Sequence, residues 1–433
     1  MLTNTLYKKA KTGGHLWRHL SLCAAAGIIL FLLVSCKTAE VVEPDPIRFY
    51  PPPPTQEELE YKATHFNDGT KIVTKETAFD DSDSLLMTFA GDIMAHTPNW
   101  SKGRFDEIYA AIKPYLIESD FVFANLETPV ADSIEYATYP AFNVHHEYAE
   151  AAISAGFNVF SLTNNHTNDR GLKGINETRE WFKKKVSETA GSDRPVYACG
   201  LKEKSNDPLT YQILEKNGWK ILYVAITEIL NNPSNSPYID YVEPYKKQRE
   251  QFISTLKKMK EEHPADLFIL SIHCAEPEYI LTVQKTQKEF YFQLLDAGVD
   301  VVWVNHPHVP KYWELVPDTE NTARKMIFYS MGNTISAQRT KPNWSKPSDG
   351  HEYTGEGNLI QVRFTKDEDG VKVSWINPMT LTTYIQTDRM YVIKLLDDDF
   401  IQSLEKEGVK NWPKYLTERK KLMEQITGTV TWQ

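Results

Sequence analysis

The chain has 433 residues, 41% hydrophobic and 24% charged, with a formal net charge of −10 at pH 7. That is enough apolar material for one large core, and the excess of acid over base argues against nucleic acid as a partner. Residues 1–35 hold four of the 48 basic residues and none of the 58 acidic ones, so the rest of the chain carries 44 − 58 = −14.

Those four, Lys8, Lys9, Lys11 and Arg18, precede an apolar run from Leu20 to Val34, which is the layout of a secretory signal peptide. The run ends Leu33-Val34-Ser35-Cys36, and small residues ahead of a cysteine suit bacterial lipoprotein processing, with the Cys36 thiol as the lipid carrier. At about 15 residues the run is short for about 30 Å of hydrocarbon, so lipidation is expected over a retained signal anchor. Either arrangement places the rest of the chain outside the inner membrane, held to a surface at the bacterial cell envelope. Residues 36–84, with Pro44, Pro46 and the run Pro51–Pro54, read as a disordered tether with a stiff polyproline element. Of the four cysteines, Cys23 leaves with the signal and Cys36 carries lipid. Nothing in the spacing of Cys199 and Cys274 pairs them.

From Leu85 short apolar runs alternate with longer helical patterns. Leu85–Ala90, Phe121–Ala124, Phe157–Leu162, Trp219–Ile226, Leu267–Ile272, Val299–Val304 and Met326–Tyr329 read as buried strands. Between them Phe105–Glu118, His146–Ala155, Glu177–Glu188, Tyr245–Glu262 and Val283–Ala297 read as amphipathic helices. The class is α/β with helices on both sheet faces. Asn358–Phe364 and Val371–Ile376 suggest a terminal antiparallel pair, and Phe400–Ile426 suggests closing helices. The expected organisation is a main domain over 85–390 and a helical segment over 391–433.

Residues of metal-ligand type stand at the carboxyl ends of these strands, where open α/β sheets build their sites: Gly91-Asp92, Asn125-Leu126-Glu127, Asn164-Asn165-His166, His273, and Asn305-His306-Pro307-His308. Singly, each reads as a helix cap or a turn. Five strand ends that all deliver carboxylate, amide oxygen or imidazole point to a metal site. A set without thiolate suits Mn, Zn or Fe over a cysteine-rich structural zinc site. Two cations about 3.5–4 Å apart need a bridging carboxylate, and Glu127 is the candidate.

Together with Phe89-Ala90-Gly91-Asp92-Ile93-Met94, with Asp169 and Gly171, and with Tyr329-Ser330-Met331-Gly332-Asn333, these residues resemble the CapA family of capsule and poly-gamma-glutamate synthesis proteins, over about residues 85–340. The resemblance implies a calcineurin-like metallophosphoesterase relative: a four-layer α/β/β/α sandwich of two mixed sheets, with ligands from both. Strand patterning alone leaves one sheet or two open. Carried over, Asp92 and His308 would hold one divalent ion and Asn165, His273 and His306 the other, with Glu127 between. His166 would stay off the metals as acid or oxyanion stabiliser, and Asp169 would either orient it or cap the next helix. The implied partners are an anionic polymer or its precursor and membrane proteins of capsule synthesis. The implied activity is hydrolysis or transfer at a phosphoester or amide, with a non-catalytic assembly factor as the alternative.

Two departures stand out. His273-Cys274-Ala275-Glu276-Pro277-Glu278-Tyr279 replaces the family's usual His-Trp-Gly followed by an acid and tyrosine, and Asn305 replaces a glycine. Loss of both glycines is expected to restrict the backbone around the ligands. His96 reads as a solvent-facing loop histidine, with a ligand or substrate contact as the alternative.

Overall fold

The structure is a computed structural model and describes residues 84–319, 322–368 and 370–427. The signal segment, the Pro-rich tether and Cys36 lie outside the described residues.

Strand β1 (Ser84–Ile93) is buried along its whole length. Leu85, Met87 and Phe89 enter one core, while Ala90 and Ile93 enter another. A strand covered on both faces reads as a continuous apolar run, and that pattern is the same in a one-sheet or a two-sheet protein. The chain forms two sheets. The first is ordered β14 (Tyr391–Leu395), β13 (Gly370–Ile385), β12 (Glu356–Asp367), β1, β2 (Phe121–Leu126), β3 (Val159–Ser161) and β4 (Tyr197–Cys199), with β11 (Asn333–Ile335) added in parallel to β1. Strands β1 to β4 are parallel, and β12 turns the sheet antiparallel. The second sheet is ordered β5 (Gln212–Lys216), β6 (Trp219–Thr227), β7 (Leu267–His273), β8 (Val301–Asn305), β10 (Thr322–Phe328) and β9 (Trp313–Thr319), parallel from β6 to β10 with antiparallel edges.

The sheets pack face to face through aromatic side chains. Phe89 stacks on Phe123 at 4.6 Å between ring centroids, and Phe123 meets Tyr223 and Trp303 of the second sheet at 5.6 and 5.8 Å. Each such pair contributes about 0.5–1.5 kcal/mol beyond area burial. Trp303 Nε1 donates to the Ala90 carbonyl at 2.9 Å, which ties β8 to β1 just ahead of Asp92. The outer face of the first sheet is covered by α1 (Phe105–Tyr109), α2 (Lys113–Ile117), α3 (His146–Ala155), α4 (Gly171–Thr189), α7 (Asp398–Lys406) and α8 (Trp412–Thr427). The second sheet is covered by α5 (Lys246–Glu262) and α6 (Lys285–Asp296). The result is a four-layer α/β/β/α sandwich with mixed sheets.

Several elements differ from the sequence-based expectation. Phe105–Glu118 is two short helices, because Pro114 is tolerated in the first turn of α2 but not inside one continuous helix. Strands β4, β5, β9, β11 and β14 are short or lie at edges and leave little pattern. Segment 391–433 opens with β14, which pairs with β13, so its helical part begins only at Asp398, where the Asp397 carboxylate accepts from Phe400 N at 2.8 Å. Cys199 and Cys274 are free and buried in different cores. Among the described residues no helix is long and apolar enough to cross a membrane.

Candidate metal centre

The parallel strands of both sheets bring their carboxyl ends to one edge, so the fold itself gathers the ligand-type residues. The backbone leading to this edge is tightly packed. A Cβ on Gly91 would lie 1.9 Å from the Gly332 carbonyl oxygen, which accepts from Asp92 N at 3.0 Å; only glycine fits ahead of Asp92. Gly332 has φ +66°, and a Cβ there would meet Pro310 at 2.8 Å, so this turn too requires glycine.

Asp92, Glu127, Asn165, His273, His306 and His308 are all buried and fall into two groups that share Glu127: one with His273 and His306, the other with Asp92 and His308. In the first, His273 Nε2 lies 2.9 Å from Asn165 Oδ1, 3.1 Å from His306 Nδ1 and 3.8 Å from Glu127 Oε1. In the second, His308 Nδ1 lies 3.1 Å from Asp92 Oδ2 and its Nε2 3.6 Å from Glu127 Oε1. Asn125, which the sequence places at a strand end without a role, donates from Nδ2 to Asp92 Oδ1 at 2.8 Å and to Glu127 Oε2 at 3.4 Å. It holds the two carboxylates in place. Asn333 Oδ1 accepts from His308 Nδ1 at 3.1 Å, while its amide donates to the His308 and Thr354 carbonyls.

The electrostatics fit cations. Burial, then repulsion from Asp92, pushes Glu127 well above the usual carboxylate range, and its Oε1 is buried with no hydrogen-bond partner. Burial, then the neighbouring imidazoles, holds His273 and His306 well below free histidine. For His308 burial also acts downward, but the bond and charge of Asp92 outweigh it and raise the ring. A buried carboxylate oxygen without a hydrogen-bond partner, beside His273 and His306 rings that burial keeps neutral, is satisfied by positive charge placed among them. Asp92, Glu127 and His308 fit one divalent cation, and Glu127, Asn165, His273 and His306 a second.

His166 is buried beside this group. Its Nδ1 donates to Asp169 Oδ2 at 2.7 Å, and the same oxygen accepts from Phe142 N at 2.7 Å. Asp169 therefore orients His166 and does not cap α4, whose N-cap is Arg170 without a side-chain cap bond. His96 is not a solvent-facing histidine: it is half-buried, and burial followed by the nearby His308 and His166 lowers its pKa to about 3. Glu278 has no role that the sequence alone assigns; a carboxylate oxygen of it lies within 4.8 Å of ligand atoms of His306 and His308. The backbone expectation also changes. Neither Ala275 nor Asn305 takes a positive φ; the left-handed angles fall on Tyr279 (+65°), His306 (+103°) and His308 (+57°). The lost glycines thus leave the ligand backbone unhindered, although the Asn305 carboxamide is buried with neither polar atom bonded.

The family model for bacterial capsule synthesis protein PGA_cap matches residues 86–338. The capsule biosynthesis protein CapA of Bacillus anthracis is 27% identical over 284 residues, covering 62% of this chain and 63% of that protein, so the match spans under two-thirds of its length. The PGA biosynthesis protein CapA of Bacillus subtilis (strain 168) is 26% identical over 311 residues, covering 69% and 73%. Among solved structures, the calcineurin-like phosphoesterase YfkN of Bacillus subtilis aligns with a TM-score of 0.40 at 14% identity, over 77% of this chain and 99% of that one. A 5'-nucleotidase-type structure from Staphylococcus aureus aligns with 0.39 at 11%, over 79% and 58%.

Proposed function

The chain belongs to the bacterial capsule synthesis family PGA_cap, and from that premise we propose that it is a metal-dependent hydrolase of the cell envelope. It cleaves a phosphoester or amide bond during synthesis, modification or export of an anionic capsule or poly-gamma-glutamate-type polymer. The observation that carries this reading is Glu127, a fully buried carboxylate shared by two groups of ligand-type side chains, with one oxygen that has no hydrogen-bond partner. Divalent cations bound there, Mn, Zn or Fe by the donor set, would supply Lewis acidity to an oxygen of the phosphoryl or carbonyl group under attack and to the attacking water.

The remaining work falls to the protein. Asp169 fixes the His166 ring through Nδ1, which leaves Nε2 to hold or deliver a proton at the leaving-group oxygen or nitrogen. Strand ends from two sheets crossed by Trp303 and Phe123 form a rigid support, and rigidity of this kind keeps catalytic groups aligned. The polymer and the membrane proteins that handle it belong to the same proposal. So does attachment to the membrane through lipid on Cys36, which rests on Leu33-Val34-Ser35-Cys36 in the sequence.

The test is elemental analysis of the purified domain together with a screen of simple phosphoesters and glutamyl peptides. About two divalent ions per chain and cleavage of one class support the proposal. Bound metal with cleavage of neither class overturns the hydrolase reading in favour of a non-catalytic assembly role.

A further inference from the structure

Glu278 lies on the loop that follows β7, five residues beyond His273, and unlike Asp92 and Glu127 it is not buried. A carboxylate oxygen of Glu278, a ring nitrogen of His306 and a ring nitrogen of His308 all lie within 4.8 Å of one another. His306 belongs with Glu127 and His273, and His308 with Glu127 and Asp92, so Glu278 reaches one imidazole of each group. Glu127 spans the same two groups from the buried side. After burial and Asp92, Glu278 is the next cause that raises Glu127, and at His308 its charge adds to that of Asp92. The centre thus has an inner carboxylate within the protein and an outer one where it meets solvent.

The loop on either side of Glu278 is fixed. Ahead of it, Ala275 N donates to Glu228 Oε2 at 3.2 Å, and the buried Glu276 accepts from Lys311 Nζ at 2.8 Å and from Gln284 N at 2.7 Å. Lys311 is itself fully buried and stands three residues past His308. Behind it, Tyr279 takes a left-handed φ of +65° and donates its N–H at 2.9 Å to the carbonyl of Pro307, the residue between the two histidines. The Tyr279 hydroxyl accepts from Gln338 Nε2 at 3.3 Å. A residue other than glycine keeps such an angle only where its surroundings over-determine it. Both flanks of Glu278 are therefore tied to the segment that carries His306 and His308, while Glu278 itself stays within reach of water.

We propose that Glu278 is a displaceable ligand, which closes the solvent side of the metal centre and gives way when an anionic group enters. This rests on the metal reading of the site and holds whichever bond is cleaved. Divalent ions facing the two buried carboxylates Asp92 and Glu127 keep an excess of positive charge, because imidazole and amide ligands bind in their neutral forms. A third carboxylate offsets part of that excess. The buried ligands cannot leave the ions without stranding a charged or polar group away from water, whereas Glu278 detaches into solvent. An incoming anion therefore competes with Glu278 and not with Glu127.

The experiment loads the protein with cobalt(II), whose visible absorption reports coordination, and titrates it with a chelator and with azide as a small anionic probe. The parent, Glu278→Gln and Glu278→Ala are compared. Loss of the ligand should weaken metal retention about tenfold, the low end of what the partners of a metal site are worth. Azide should bind about three- to tenfold tighter, the gain from opening a centre that its own carboxylate closes about 70–90% of the time. The opposite signs mark a displaceable ligand, since a merely structural residue would weaken both or neither. The proposal is overturned by metal retention equal to the parent's in both variants, or by azide affinity equal to or below the parent's. A parent that takes up no cobalt removes the metal reading itself, and a cobalt-loaded parent whose spectrum and azide affinity both variants share removes only the role of Glu278.

Discussion

His306 Nδ1 lies 3.1 Å from His273 Nε2, with the ring centroids 4.8 Å apart. Two buried imidazole edges face each other at this distance without repulsion only when a proton or a cation is shared between them. Burial, then the charge of neighbouring imidazoles, holds both rings below free histidine, so the neutral forms prevail near pH 7. Their contribution to stability is present above about pH 6.5, the unperturbed value, and is lost as the pH falls below it. Protons then also compete for metal. Bound metal and melting temperature should fall together on acidification from pH 7, and His306→Ala and Glu127→Ala should each lower metal content at pH 7. Metal content indifferent to both substitutions would show that the ligand set is wrong.

Replacing His166 with alanine should leave metal and fold in place and lower turnover by about 10²–10⁴-fold. Asp169→Asn should also keep the metal but cost less, since it removes only what orients the ring. The measurements are metal content, melting temperature and kcat on a confirmed substrate. Metal lost from His166→Ala would make His166 a ligand.

Asp240 offers a pH test away from the centre. It is buried; burial raises it to about 6, although it accepts from Thr210 N and lies near Lys202. A carboxyl raised in the folded state stabilises fully below its unfolded value of about 3.8, and this contribution is lost as the pH rises through about 6. The loss amounts to about 3 kcal/mol at 1.36 kcal/mol per unit. Asp240→Asn should therefore gain stability relative to the parent between pH 4 and 7, as read by urea denaturation across that range. Parallel stability curves would contradict the assignment.

Glu356 lies between Arg339 and Arg419, all three buried, and these bonds tie α8 to β12. The two guanidinium groups hold the Glu356 carboxyl below its usual range despite burial. Removing the acid leaves two buried charges uncompensated, so Glu356→Gln should cost about 3–5 kcal/mol, measured as a lowered denaturation midpoint. A change under about 1 kcal/mol would show that the cluster adds little.

Cys36→Ser should release the protein from membranes or leave an unprocessed precursor. A variant that fractionates and migrates like the parent would end the lipoprotein proposal.

The strand ends and their ligand-type residues were legible in the sequence because a buried parallel strand is a short apolar run, and the next residue marks the sheet edge where a site forms. Asp92, Glu127, Asn165, His273, His306 and His308 each stand at such a place, and the structure brings them, buried, to one edge. Strand patterning left open whether two sheets share this edge, since full burial of β1 looks the same in either arrangement; the family resemblance implied two, and the tertiary structure shows them. Tertiary structure also decided what the supporting side chains do. His96 is held by Ala337, 241 residues away, and Asn333 supports His308 from another strand. The destination of Asp169 was open to sequence as cap or partner, and the bonds that its carboxylate accepts from His166 Nδ1 and Phe142 N make it the partner. Local pattern specifies which face a side chain takes; the partner it meets there is set by long-range packing, which carries no local signal.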